Sequence, residues 1–248
     1  MEIFVAETVG TTILILLGCG VVANDLLGRT KGHGTGWLMI NAGWGFAVAL
    51  AVYTVGRISG AHINPAVTIG LFSIGQVETN QLPYYLGGQM LGAILGAVLV
   101  WLAYLSHWSE TRDHAAKLGV FATGPAIRSP GANLVCEIIG TAMLVFGVLG
   151  IGENAGEMVS GDFDLTAVFS TAINPMLVGI LVFAIGMSLG GPTGYAINPA
   201  RDLGPRIAHA LLPIPGKGKS DWGYAWIPIV GPLIGGVLGA VLFDQIFG

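Results

Sequence analysis

The feature that most constrains this chain is a motif that occurs twice. Residues 60–68 read GAHINPAVT, and residues 194–202 read GYAINPARD. Both reduce to Gly-x-x-Ile-Asn-Pro-Ala. Asn is a favoured N-cap, and Pro at the first helical position forfeits only an N–H that has no intrahelical partner there. Each motif therefore predicts a non-helical run ending at Asn64 or Asn198 and a helix opening at Pro65-Ala66 or Pro199-Ala200. Neither helix is long enough to cross a bilayer. About ten residues rise roughly 15 Å, half of a ~30 Å hydrocarbon core. Irregular backbone at membrane depth is tolerated only where protein buries it or where it lines a watery cavity. Two such segments, set between long apolar runs, predict one pore.

The surrounding chain has a membrane composition. Of 248 residues, 53% are hydrophobic and 10% charged, and the mean hydropathy is +0.75. That combination excludes an ordinary soluble domain. Six spans are expected, near residues 4–23, 37–55, 83–105, 132–151, 176–189 and 224–247, with half-helices near 65–74 and 199–211. The 40 glycines fit a tight bundle, because small residues let helices approach closely. Polar connections fall at 25–36 and 106–130, and an acidic loop at 152–171 carries Glu153, Glu157, Asp162 and Asp164. A third Asn-Pro, at Asn174-Pro175, lacks the Gly-x-x lead, the Ala and a twin, and reads as a simple cap of the fifth span. A net charge of -4 without any basic run gives no sign of a nucleic-acid partner. Cys19 and Cys136 fall inside predicted spans, so no disulfide framework is expected. The first apolar segment has no basic lead and runs too long for a cleavable signal. No metal-ligand spacing, Ser/His/Asp cluster or phosphate loop stands out, so neither an enzyme nor a cofactor is expected.

The two halves repeat. Each reads span with a Glu near its start (Glu7, Glu137), span, Asn-Pro-Ala half-helix, span, which divides a single channel domain 1–248 into copies 1–125 and 126–248. Three spans per copy is odd, so the second copy inserts upside down. Inverted repeats place their site near the midplane, on discontinuous helices. The fold class is thus an all-α membrane protein with six transmembrane helices and two re-entrant half-helices meeting N-terminus to N-terminus. Facing N-termini put positive potential mid-pore, which repels cations and protons but not anions. Each Asn carbonyl caps its own helix, which leaves the NH2 group to donate to a passing solute. The leads Gly60-Ala61-His62 and Gly194-Tyr195-Ala196 are expected to turn carbonyls inward. Glu7 and Glu137 are intramembrane acids and functional candidates for that reason; their expected work is to accept from N–H groups of the leads. His62 either lines the pore or packs structurally. Arg201, costly at this depth unless it faces a cavity, is a candidate donor and cation barrier. Trp44 and Tyr195, taken alone, read as packing or interface aromatics.

With SGAHINPAVT and GYAINPARDLGPR on the page, the chain resembles the major intrinsic proteins, the aquaporin family, over nearly its whole length. Asp202, Arg206 and Pro228-Ile229 resemble the glycerol-facilitator branch, the aquaglyceroporins, and Asp202 joins the two Glu residues as a group supporting the pore. The resemblance implies a filter of Trp44, Gly186, Tyr195 and Arg201, with small Gly186 leaving room that a His-type water filter would fill. Tyr195 stands where the branch usually has Phe, and its hydroxyl is expected to narrow or polarise the filter. Both aromatics are expected to hold the CH side of a solute while Arg201 and backbone carbonyls bind its hydroxyls. The implied function is passive passage of small uncharged solutes, glycerol or a similar polyol together with water. Dihydroxyacetone and protonated lactic acid are the alternative solutes. A coupled secondary transporter is the alternative of another class, and a junctional membrane protein with a residual pore a third. The family also implies a homotetramer in the plasma membrane with both termini cytoplasmic. That orientation puts Arg29, Lys31, Arg112, Lys117, Arg128, Lys217 and Lys219 outside and the acidic loop inside, against the positive-inside rule.

Overall fold

The computed structural model describes residues 1–160 and 163–248, so Asp162 of the acidic loop lies outside the described residues. In chain order the elements are α1 (Glu2–Leu26), α2 (Trp37–Ser59), the short α3 (Pro65–Ser73), α4 (Leu82–Ala103), α5 (His114–Phe121) and α6 (Pro130–Glu153). A two-residue antiparallel ladder of β1 (Val159–Ser160) and β2 (Phe163–Asp164) follows. Then come α7 (Thr166–Val168), a π-helical turn (Phe169–Ile173), α8 (Asn174–Leu189), the second short helix α9 (Pro199–Leu211) and α10 (Ile227–Phe247). Among the described residues six helical stretches are long and apolar enough to cross a membrane, the fifth being the run Thr166–Leu189. The chain is a multi-pass, helical membrane protein.

Several elements differ from expectation, the fifth span most. The fifth span starts at Thr166 rather than Met176, and Asn174-Pro175 lies inside it. Asn174 is not a cap: its backbone is right-handed helical (φ -50, ψ -47), and its N–H reaches back five residues to Phe169 O. Pro lacks an N–H and crowds the carbonyl four residues earlier, so an inserted Pro is accommodated by widening the turn before it. The connection 106–130 contains α5, opened by an Asp113 side chain that accepts from Ala115 N at 2.7 Å. The sixth span opens at Ile227 instead of Tyr224.

Small residues set the packing. On α4, a Cβ added at Gly88, Gly92 or Gly96 would meet α1 backbone oxygens of Phe4, Thr8 and Thr12 at 2.6, 2.4 and 2.8 Å. On α10, Gly231, Gly235 and Gly239 are pressed as closely onto α6, against Glu137 Cβ, Ile138 O and Ala142 O at 2.7, 2.3 and 2.4 Å. Where α2 crosses α8 the contact is reciprocal: a Cβ on Gly45 meets Gly179 O at 2.7 Å, and one on Gly179 meets Gly45 O at 2.6 Å. Each short helix then packs across the halves, α3 on α10 at Gly70 and Gly236, and α9 on α4 at Gly204 and Ala93. Within a membrane such close van der Waals approach, rather than apolar burial, is what holds helices together.

Candidate functional site

The two leads adopt the same unusual backbone. Positive φ angles occur at Gly60 (79), Ala61 (50) and Ile63 (45), and at Gly194 (81), Tyr195 (36) and Ile197 (42). Positive φ in a β-branched Ile is an outlier that persists only when its surroundings fix it. Here a buried acid does so on each side. Glu7, fully buried on α1, accepts from His62 N at 3.1 Å and Ile63 N at 2.7 Å. It also accepts from Ser59 Oγ at 2.6 Å and Gln89 Nε2 at 2.8 Å. Glu137 on α6 accepts from Ala196 N at 3.0 Å and Ile197 N at 2.8 Å. Each acid thus accepts from two N–H groups of one lead. Ser59 and Gln89 are additions that needed the fold, although Ser59 directly precedes the first motif.

The tips of the half-helices are joined. Asn64 Oδ1 accepts from Ala66 N at 2.8 Å, and Asn198 Oδ1 accepts from Ala200 N at 3.0 Å and Arg201 N at 3.1 Å. Asn64 Nδ2 donates to Ile197 O at 2.7 Å, and Asn198 Nδ2 donates to Ile63 O at 2.8 Å. The expectation of freely available NH2 groups is thus corrected. One N–H of each amide is spent on the opposite lead, because that carbonyl is buried and needs a donor. One N–H remains on each.

Beside this junction runs a cavity of about 310 Å³. Its lining includes Gly60, Ala61 and His62 of one lead, Tyr195 and Ala196 of the other, and Asn198. Asn64 is equally buried (4% against 5% exposed) but is not among the lining residues. His62 does line the cavity while its ring stacks on Tyr85 at 4.1 Å and its Nδ1 lies 3.1 Å from Thr68 Oγ1. Gly194 lines a second cavity, and Trp44, Tyr195 and Arg201 line both, so these three side chains form the partition between the two. On the other side, Val52, Gly60 and Asn174 are shared with a third cavity opening at Arg57, Ser170 and Thr171. The three cavities thus lie in series, separated by the side chains they share.

At the first partition three expectations change. Arg201, only 7% exposed, lays its guanidinium over the Trp44 ring, with Cζ 4.0 Å from the centroid. The Trp44 face is therefore covered by a cation rather than open to a carbon skeleton, since a guanidinium is attracted to the indole π-face. Phe121 O, at the end of α5, takes Arg201 Nη1 at 3.4 Å, a contribution from a helix the sequence did not announce. Gly186 leaves no free room either. A Cβ there would meet Asn41 Oδ1 at 2.3 Å and Tyr195 Cζ at 2.7 Å, so the absence of a side chain admits the Tyr195 ring. The Tyr195 hydroxyl is buried at that spot and does not narrow or polarise the conduit. Asp202 is fully buried and accepts from Arg206 Nε at 2.8 Å and Nη2 at 3.0 Å, and from Thr123 N and Oγ1 at 2.7 Å each. Arg206 in turn donates to Thr123 O, Ser220 O and Asp221 O. A buried ion pair is tolerable when its remaining donors and acceptors are satisfied in this way. The pair ties α9 to the segment after α5 and to the connection before α10.

Comparison with known proteins finds similarity over nearly the whole chain. A family model described as major intrinsic protein matches residues 1–243. A probable glycerol uptake facilitator protein of Thermotoga maritima is 60% identical over 247 residues, covering 100% of both chains. A glycerol uptake facilitator protein of Bacillus subtilis is 52% identical, covering 100% of this chain and 85% of that one. The X-ray structure of the aquaglyceroporin from Plasmodium falciparum superposes with a TM-score of 0.83 at 30% identity, covering 99% of this chain and 96% of that one.

Proposed function

The chain belongs to the major intrinsic protein family, and from that premise we propose that it is a facilitator of glycerol passage. Membership makes it a passive channel for small uncharged solutes and not an enzyme. The observation that carries the glycerol reading is the reciprocal Asn64–Ile197 and Asn198–Ile63 pairing beside a conduit whose partition holds Trp44, Tyr195 and Arg201. The names of the relatives point the same way.

In this reading the solute sheds water and meets a file of inward carbonyls from the two leads, an N–H from Asn198 and the Arg201 guanidinium. A polyol offers both donors and acceptors and is served by all three. Two helix N-termini and Arg201 place positive charge mid-conduit, which keeps protons and cations out. Glu7, Glu137 and Asp202 act behind the conduit by fixing its backbone. Passage requires the guanidinium to leave the Trp44 face. A cation–π contact of this kind is worth about 1–2 kcal/mol, and a hydroxyl bound to Arg201 offsets it. The two halves, residues 1–125 and 126–248, are inverted copies in this reading, supported by the paired leads, paired acids and the reciprocal Gly45–Gly179 crossing. The protein sits in the plasma membrane with both termini cytoplasmic and assembles as a homotetramer, each protomer carrying its own conduit.

Stopped-flow light scattering on proteoliposomes tests the proposal, with water, glycerol, dihydroxyacetone, urea and lactic acid at low pH. The expected result is glycerol flux above that of protein-free liposomes, unchanged when proton and sodium gradients are collapsed. Flux that requires a gradient would replace the channel by a coupled transporter. Lactic acid outrunning glycerol would change the solute class.

A further inference from the structure

We propose that Asn174 is a second solute-binding station of the conduit, placed on the Asn64 side of the midplane and taking polyol hydroxyls. The proposal rests on the channel reading above. It starts from a side chain that no cap or packing role absorbs. Asn174 heads α8 with helical backbone, and its own N–H is used by Phe169 O within the π-helical turn. Its side-chain Oδ1 is buried and has no hydrogen-bond partner among the described residues. A buried amide oxygen in a native protein normally finds a donor. An Asn kept for local structure would have spent its amide in its own turn, as Asn154 does when its Nδ2 donates to Gly150 O at 2.8 Å.

Position supplies the reason. Asn174 is shared by the central cavity and the mouth cavity, and its companions at that partition are Val52 and Gly60. Val52 is apolar, and Gly60 brings backbone only. The amide is thus the one polar side chain among the residues common to these two cavities. The amide donates through its NH2 group to a hydroxyl oxygen, accepts through Oδ1 once the side chain turns that atom toward the conduit, and carries no charge to attract an ion. Pro175 and the wide turn set the side chain there: π-helical turns shift the register of the following helix and recur at functional positions. Tyr53 OH pins this turn by donating to Ala172 O at 2.7 Å. A solute that has left Arg201 and the Asn198 amide therefore meets Asn174, beyond the His62 ring that also lines the central cavity, before it reaches the mouth.

Asn174→Leu, close in volume but unable to hydrogen-bond, tests the station by stopped-flow glycerol and water permeability in proteoliposomes of equal protein content. Loss of one or two hydrogen bonds to a neutral hydroxyl is expected to lower glycerol permeability about five- to tenfold. Water, smaller and less dependent on a fixed partner, falls less, so the glycerol-to-water ratio drops. Asn174→Ser restores the ratio to within about twofold of the parent. A Leu variant with an unchanged ratio, or a Ser variant as impaired as Leu, overturns the proposal. Should Leu abolish water passage as well, Asn174→Ala decides: it cannot obstruct, and a lowered ratio supports the station while an unchanged one refutes it. The parent protein separates the two levels. If it passes no glycerol, the channel reading itself has failed and the station with it; if it does, only Asn174 is at stake.

Discussion

A methyl group at Gly186 has nowhere to go. Its carbon would lie 2.3 Å from Asn41 Oδ1 and 2.7 Å from Tyr195 Cζ, well inside van der Waals contact. Asn41 is fully buried and Tyr195 is held edge-on by Trp37 with centroids 5.8 Å apart, while the open space beside the ring is that of the two cavities it lines with Trp44 and Arg201. Gly186→Ala is therefore expected to close the partition and lower glycerol permeability at least about tenfold, since overpacking forces neighbours aside. Water permeability falls less, and light scattering on proteoliposomes reads both. Tyr195→Phe is the complementary case. The hydroxyl is buried beside Gly186 and faces no solute, so the glycerol-to-water ratio should stay within about twofold of the parent. A several-fold change would put that hydroxyl in the solute path. The resemblance puts Gly186 and Tyr195 in the filter as room and as a polar ring; the structure instead seats the Tyr195 ring against Gly186. One-dimensional spacing gives no measure of which ring lies over which glycine.

Among elements, the re-entrant leads carry the most backbone strain and the most specific support. Ala61, Ile63, Tyr195 and Ile197 all hold positive φ, and non-glycine residues there cost on the order of 1–3 kcal/mol each. Glu137 keeps the second lead in place by accepting from Ala196 N and Ile197 N. Glu137→Leu removes both acceptors at once. Each orphaned N–H costs about 1–3 kcal/mol, so the lead should relax and flux should collapse. Thermal unfolding in detergent is expected to fall by roughly 10 °C, on the usual scale of a few degrees per kcal/mol for a chain this size. Glu137→Gln keeps one acceptor and should retain part of both properties. An unfolding temperature unchanged in the Leu variant would mean that the acid does not hold the lead. Such elements were legible in sequence because length and apolarity mark a span, and Asn-Pro marks a helix start. The short α5 was not. Eight residues with one Asp113 cap give little periodic signal, although its last carbonyl reaches Arg201. Asn174-Pro175 misled for the opposite reason: the same dipeptide that opens α3 and α9 lies inside the fifth span, where tertiary packing outweighs local preference.

For the molecule as a whole, the unresolved tension is between charge and orientation. Six spans put both termini on one face, and the connections 27–36, 104–129 and 212–226 on the other. The proposal that the termini are cytoplasmic therefore sends most basic residues outward, against the positive-inside tendency. The contacts those residues make weaken the objection. Arg29 pairs with Glu110 at 2.9 Å, and Arg128 pairs with Asp221. Lys117, nearly fully buried, donates to the carbonyls of Pro215 and Gly216. Lys217 donates to His209 O, Ala210 O and Leu212 O at 2.8, 2.7 and 2.6 Å, satisfying orphan carbonyls and the negative end of the α9 dipole. Arg128, Lys117 and Lys217 thus tie down the connection that follows α9, and the face they occupy goes with that work. Protease added to right-side-out vesicles should then leave the stretch between α6 and α7 intact and cut it only after the vesicles are inverted or opened. Cleavage in intact right-side-out vesicles would reverse the orientation. It would leave the conduit, the filter and the Asn174 station where they are, because a passive channel built on paired halves conducts alike from either side.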